Sequence, residues 1–137
     1  MHHVHHMLNH WALLVSAVFL WLLGALWYSP VLFAKPWIAI VGRKEGEKPK
    51  GLVKGMISSF VGDLILALVL AHFVVWSGAT TFAWGAFVGF LCWFGFYISP
   101  LYPHSIYEGR PFLYVAINGG YWLVGLVIVG GVLAIWP

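Results

Sequence analysis

Apolar residues fall into four long runs, about His10–Tyr28, Met56–Trp76, Phe82–Ser99 and Phe112–Trp136, separated by polar or basic segments. Each is close to the roughly 20 residues a helix needs to cross a hydrocarbon layer of about 30 Å. Backbone amides and carbonyls in lipid must be satisfied within the segment, which makes helix the reading for all four. The pattern predicts an all-α, four-helix transmembrane bundle, a single integral membrane domain over 1–137.

Composition strengthens that reading. The chain is 62% hydrophobic and 8% charged, with a mean hydropathy of +0.91, whereas soluble domains carry about a quarter charged residues. The N-terminus has histidines where a signal peptide has its basic region, and no small-residue cleavage site follows the apolar run, so the first helix is expected to remain as a span. Cys92, the single cysteine, lies in the third run and reads as a small buried hydrophobe; no disulfide framework follows from it.

Charge placement predicts orientation. Lys35, Arg43, Lys44, Lys48, Lys50 and Lys54 lie between the first two runs against only Glu45 and Glu47, and Arg110 lies between the last two. The positive-inside rule makes both connections cytoplasmic, the first a basic loop over 35–54, with both termini outside. Topology and anionic lipid headgroups account for this charge, so nucleic acid is not an expected partner.

A repeat organises the four runs. "FLWLLGALWYSP" (Phe19–Pro30) aligns with "FLCWFGFYISP" (Phe90–Pro100) after one gap, and Lys35-Pro36-Trp37 is answered by Arg110-Pro111-Phe112. Two parallel helical hairpins related by a pseudo-twofold axis along the membrane normal are expected. Pro30 and Pro100 disfavour helical geometry in the serine before them, so both descending helices are expected to stop there. Pro36 and Pro111 suit a helix's first turn. Trp27, Tyr28 and Trp37 suit the water–lipid boundary.

"NHWALLVSAVFLWLLGALWYSPVLFAKPW" and "YEGRPFLYVAINGGYWLVGLVIVGGVLAIW" resemble the bacterial membrane-protein family catalogued as domain of unknown function 1761. The shared pattern is an Asn-Trp start, a Trp-Tyr-Ser-Pro-x-x-Phe-x-Lys-x-Trp stop, and Glu-Gly-Arg-Pro…Ile-Asn-x-Gly-Tyr leading into the last helix. Here His10 separates Asn9 from Trp11, Pro36 follows the lysine, and "SPLYPHSIY" replaces a Thr/Asn-rich segment. The resemblance implies four helices in a bacterial inner membrane and supplies no activity.

Several polar residues are candidates for chemistry. His2, His6 and His10 share one face if the first helix extends to the N-terminus, and neutral imidazoles bind zinc, copper or nickel. His72, near the outer end of the second run, is a candidate metal ligand completed by those histidines. It is also a candidate axial ligand for haem or chlorophyll, in a setting that resembles bacterial antenna polypeptides; the alternative is a histidine hydrogen-bonded between helices or at the interface. Asp63 is the single acid inside a run, about two turns from the cytoplasmic end, with Ser59 one turn before it and His72 on the opposite face. It is a candidate for a proton or cation pathway, or for a packing hydrogen bond to Asn118 or a tyrosine. Glu108, Arg110 and Lys35 share the cytoplasmic side, where a Glu108–Lys35 ion pair would fix one hairpin to the other. Asn118, beside Gly119 and Gly120, is placed to bond across closely packed helices.

Gly85 and Gly89 form a Gly-x-x-x-Gly, and Gly119, Gly120, Gly125, Gly130 and Gly131 line the last run. These smooth faces exceed what one bundle needs and point to a homo-oligomer or to other membrane subunits. The 9 Trp, 6 Tyr and 10 Phe exceed interfacial needs and can contact lipid, quinone-like molecules or pigment. No nucleophile–base pair, phosphate-binding loop or cysteine cluster marks an enzyme; Ser29 and Ser99 lack a histidine partner other than His104. The expectation is a non-catalytic accessory or oligomeric membrane subunit. The alternatives are a small channel or transporter with a path near Asp63 and Asn118, and a protein that binds metal, haem or chlorophyll through His72 and the N-terminal histidines.

Overall fold

The computed structural model describes residues 9–42 and 51–136. The first helix, α1 (His10–Trp27), starts where Asn9 caps it: Asn9 Oδ1 accepts from the Trp11 and Ala12 amides at 2.8 and 3.3 Å, satisfying donors that a helix start leaves open. The histidine between Asn9 and Trp11 thus becomes the first helical residue. Four helices are long and apolar enough to cross a membrane: α1, α3 (Leu52–Ser77), α4 (Phe82–Tyr107) and α5 (Phe112–Ile135). A shorter helix, α2 (Ala34–Val41), follows α1. The chain is a multi-pass membrane protein. Its large apolar side chains point outward on every span, among them Leu22, Leu26, Ile57, Ile65, Phe87 and Phe94, as lipid-facing surfaces require.

The basic segment 35–54 is not simply a loop. Lys35 is in the first turn of α2 with Pro36 beside it, Lys54 is in the first turn of α3, and Arg43, Lys44, Lys48 and Lys50 lie outside the described residues. The helix α3 starts at Leu52, four residues before the apolar run, so Asp63 stands near the middle of the helix, roughly 17 Å from its start at 1.5 Å per residue. Counted from the start of the apolar run at Met56 it is two turns in, and the four added residues lie before that run.

The two serine–proline stops behave differently. After α1 the chain turns: the Tyr28 amide donates to Gly24 O, Phe33 to Trp27 O and Ala34 to Ser29 O, each at 3.1 Å. The helix ends before Pro30, as expected. Pro100 does not, and the third span runs on to Tyr107 through Ser99, Pro100 and Pro103. The segment Trp93–Ile98 just before it is a π-helix, a wider turn that loosens the i→i−4 ladder ahead of the prolines. Pro100 then falls in the first turn of the α-helical piece that follows, where a missing amide is tolerated. The expectation of two equivalent stops is therefore corrected.

Consecutive spans form the closest pairs, α1 with α3 and α4 with α5, giving two helical hairpins. The tight connection Gly78–Thr81 joins the hairpins; Gly78 has φ +77°, a left-handed conformation that favours glycine at a helix C-terminus. The most buried span is α5. Its glycines seat side chains of both neighbours: Trp27 against Gly120, Leu20 against Gly125, Ile98 against Gly119 and Phe82 against Gly131. On the α4 side the backbones themselves meet. A Cβ on Gly85 would strike the Gly130 carbonyl, and one on Gly89 the Leu126 carbonyl. The glycines that the sequence offers as surplus smooth surface are used within the chain.

Candidate functional site: an acidic cleft between α1, α3 and α5

The closest backbone packing lies on the α4 side of α5; on the other side, packing is looser where α3 meets α1 and α5. Between α1, the first half of α3 and the middle of α5 lies a cleft of ≈ 690 Å³, within the range of roughly 300–1,000 Å³ typical of small-molecule sites. Its floor on α3 is small-sided, with Gly51, Gly55, Ser59 and Gly62, and its walls are Trp21, Tyr28, Tyr121 and Trp122. Glycines 55 and 62 have nothing within 4 Å of an added Cβ. Helix α1 holds its distance through Trp21, whose Nε1–H donates to Met56 O at 3.2 Å and whose ring meets Phe60 edge-on at 6.0 Å.

Asp63 lines this cleft and is only 4% exposed. It forms no hydrogen bond or ion pair among the described residues. The two tyrosine hydroxyls of the cleft are committed elsewhere. Tyr121 Oη donates to Leu20 O at 2.6 Å, and Tyr28 Oη donates to Asn118 Oδ1 at 2.6 Å. A phenol has one hydrogen to give, so neither tyrosine serves the carboxyl. Ionised, a buried carboxylate without donors needs a cation or water from outside the fold. The expected hydrogen bond from Asp63 to Asn118 or a tyrosine is thus not made; Asn118, 9% exposed, bonds Tyr28 across the helices instead.

The aromatic walls are held as one unit. Tyr121 packs against Trp122 at 4.6 Å, Tyr28 at 5.8 Å and Trp27 at 6.4 Å between ring centroids. Trp27 Nε1–H donates to Ile117 O and Trp93 Nε1–H to Gly119 O, both at 2.9 Å. Indoles from α1 and α4 therefore clamp the same turn of α5 from two sides.

At the mouth of the bundle the charged residues arrange themselves differently from the expected Glu108–Lys35 pair. Glu108 Oε2 lies 3.9 Å from Arg110 Nε, in an exposed pair; Lys35 is exposed on α2. Glu108 sits two residues from Arg110, just beyond the last turn of α4, and no ion pair to Lys35 is formed among the described residues. The clasp between hairpins is made by Arg110 instead. Its Nη1 donates to Ile40 O at 3.0 Å and its guanidinium lies 5.5 Å from the Tyr114 ring. Trp37 of α2 stacks on Tyr114 at 5.5 Å and 15°.

The histidines stand apart from the cleft. His72 Nδ1 is 2.7 Å from Leu68 O, one turn back, and its ring meets Trp76 edge-on at 5.4 Å. A carbonyl only accepts, so Nδ1 carries the proton and Nε2 is left as the coordinating nitrogen. His10 is exposed at the start of α1, while His2 and His6 lie outside the described residues. No group of three His, Cys, Asp or Glu side chains is assembled among the described residues.

Sequence reasoning missed the cleft walls and floor. The spacing of Gly51, Gly55, Ser59 and Gly62 one turn apart, leading to Asp63, is the signal that marks the floor; the four aromatic walls come from two other helices and have no local signature. No curated protein and no solved structure matches the chain at a significant level. A protein-family model described as "Protein of unknown function (DUF1761)" matches residues 11–134, and the chain belongs to that family.

Proposed function

We propose that this protein is a small membrane transporter that moves a cation through the cleft at Asp63. One observation carries the reading: a carboxyl near the middle of a span, 4% exposed and without a partner among the described residues, faces a cleft of ≈ 690 Å³. Membrane interiors tolerate such a group when it serves a pathway. The other titratable side chains bordering it are Tyr28 on α1 and Tyr121 on α5, both engaged in bonds to other residues. In a bacterial inner membrane with the basic segment cytoplasmic, the cleft opens at the cytoplasmic end, beside Gly51 and Leu52. The test is purified protein in liposomes containing a pH-sensitive dye. Wild type is expected to give cation-dependent proton movement, and Asp63→Asn none above empty vesicles. Equal flux from both would refute the pathway.

An accessory role in a larger or oligomeric assembly is the second reading. It is supported by the exposed small-residue face of α3 at the rim of the cleft, Gly51, Gly55 and Ser59, against which another helix can pack closely. The mass of the assembly extracted from its native membrane in mild detergent tests it. The free Nε2 of His72 supports haem, chlorophyll or metal ligation; absorbance or bound metal lost in His72→Ala would be its mark.

A further inference from the structure

The acidic cleft does not end at Asp63. A second cleft of ≈ 410 Å³ lies on the other side of Gly62 and Trp122, which border both. Its walls are Ile65, Leu66, Val69 and Phe73 of α3 against Phe96 of α4 and Leu126 of α5. Gly62 has nothing within 4 Å, so no side chain from α3 separates the two clefts there. An aromatic-walled chamber with one unpartnered acid therefore adjoins an apolar trough between α3 and α4.

We propose that the two clefts together bind one amphipathic organic cation, with its cationic head at Asp63 and its apolar tail laid across Gly62 into the α3–α4 trough. This rests on the reading of Asp63 as the cation site and names the class of cation. The donor set argues against a bare metal ion. Hard cations such as calcium take six to eight oxygen ligands and magnesium six, and the cleft offers Asp63, the Ser59 hydroxyl and tyrosine oxygens already bonded elsewhere. An organic ammonium needs less. In its quaternary form it is weakly hydrated, requires one countercharge, and is attracted to the faces of tryptophan and tyrosine, which wall the chamber as Trp21, Tyr28, Tyr121 and Trp122. The trough is lined by apolar side chains together with Cys92 and Tyr97 and has no charged lining residue, so it suits a hydrocarbon tail and not a second charge. A cation with a tail also arrives from the bilayer, where the trough lies.

The experiment is saturable binding of radiolabelled dodecyltrimethylammonium to the full chain in lipid nanodiscs, with empty nanodiscs subtracted. Unlabelled competitors are tetramethylammonium and the uncharged dodecanol. Wild type is expected to bind the probe at one site, with each competitor at least tenfold weaker than unlabelled probe. Asp63→Asn is expected to lose binding at least tenfold. Val69→Asp, which puts a charge in the trough away from the Asp63 chamber, should lower affinity for dodecyltrimethylammonium severalfold and leave tetramethylammonium unchanged. Absence of saturable binding in wild type overturns the proposal, as does dodecanol competing equally with the probe or binding that survives Asp63→Asn. Proton flux that needs Asp63 without any binding of the probe would refute the ligand class and leave the transport reading standing. Saturable binding with no flux would do the reverse.

Discussion

The two hairpins use the same residue for opposite ends. In the α4–α5 hairpin, Gly85, Gly89 and Gly130 bring backbone against backbone, leaving no room for a methyl group. In the α1–α3 hairpin, Gly55 and Gly62 face open space beside a buried acid. Helix association in lipid has little hydrophobic drive and depends on close van der Waals contact. The first arrangement is therefore where the bundle is held, and the second is where it is hollow. A glycine stripe in a span reports that something approaches closely; whether it is another helix or a ligand is decided by what lies opposite.

The largest effect should separate the hairpins directly. Gly89→Leu forces a side chain into the Leu126 carbonyl, and overpacking of this kind costs about 3 kcal/mol or more where backbone must move. Loss of folded, monodisperse protein in detergent is expected, followed by thermal unfolding of intrinsic tryptophan fluorescence. At Gly62 an added Cβ meets nothing within 4 Å, so the same change should cost well under the roughly 1–3 kcal/mol typical of overpacking, about 0.5 kcal/mol. If Gly62→Leu proves the more damaging, the hollow is not where the structure puts it.

A middle-sized effect concerns the two serine–proline stops. The first is anchored by tertiary bonds, Trp27 to Ile117 O and Tyr28 to Asn118; the second has its anchor upstream at Trp93, and Ser99 and Pro100 are exposed. Trp27→Phe and Tyr28→Phe should each cost about 0.6 kcal/mol and no more than about 1.7 kcal/mol, the average and the maximum for cross-helix hydrogen bonds in membranes. Pro30→Ala should cost less than either in the same unfolding assay, because docking of the two rings on α5 fixes the turn. A larger loss for Pro30→Ala would return the stop to the proline.

This contrast also explains what could be read from the sequence. Span number and place were legible because hydrocarbon thickness and backbone satisfaction act on each segment alone. The local rule for proline held at Pro30 and failed at Pro100, where a π-helical turn that begins at Trp93 changes the ladder before the proline. Asn118 was legible as a cross-helix bond because glycines beside an amide allow close approach, although its partner is Tyr28. Asp63 was legible as a buried acid; that its neighbours spend their hydrogens on Leu20 and Asn118 depends on α1 and α5, distant in sequence. Residues within one helix announce themselves, and a cleft made by three helices does not.

The smallest expected change is the most informative about that cleft. A polar residue kept for packing leaves an orphaned partner when it is removed, and an orphaned buried group costs about 1–3 kcal/mol. Asn118→Ala strips the acceptor from Tyr28 Oη and should fall in that range. Asp63 has no partner among the described residues, so Asp63→Asn, nearly equal in shape, removes a charge site and no bond. Its unfolding midpoint should match wild type within the equivalent of about 0.5 kcal/mol, at neutral pH and without added ligand. A loss above about 1 kcal/mol would mean that the carboxyl holds the bundle together, and the hollow hairpin would then be a packing device. Unchanged stability with cation binding abolished is the combination that a retained, unpaired acid in a membrane span calls for.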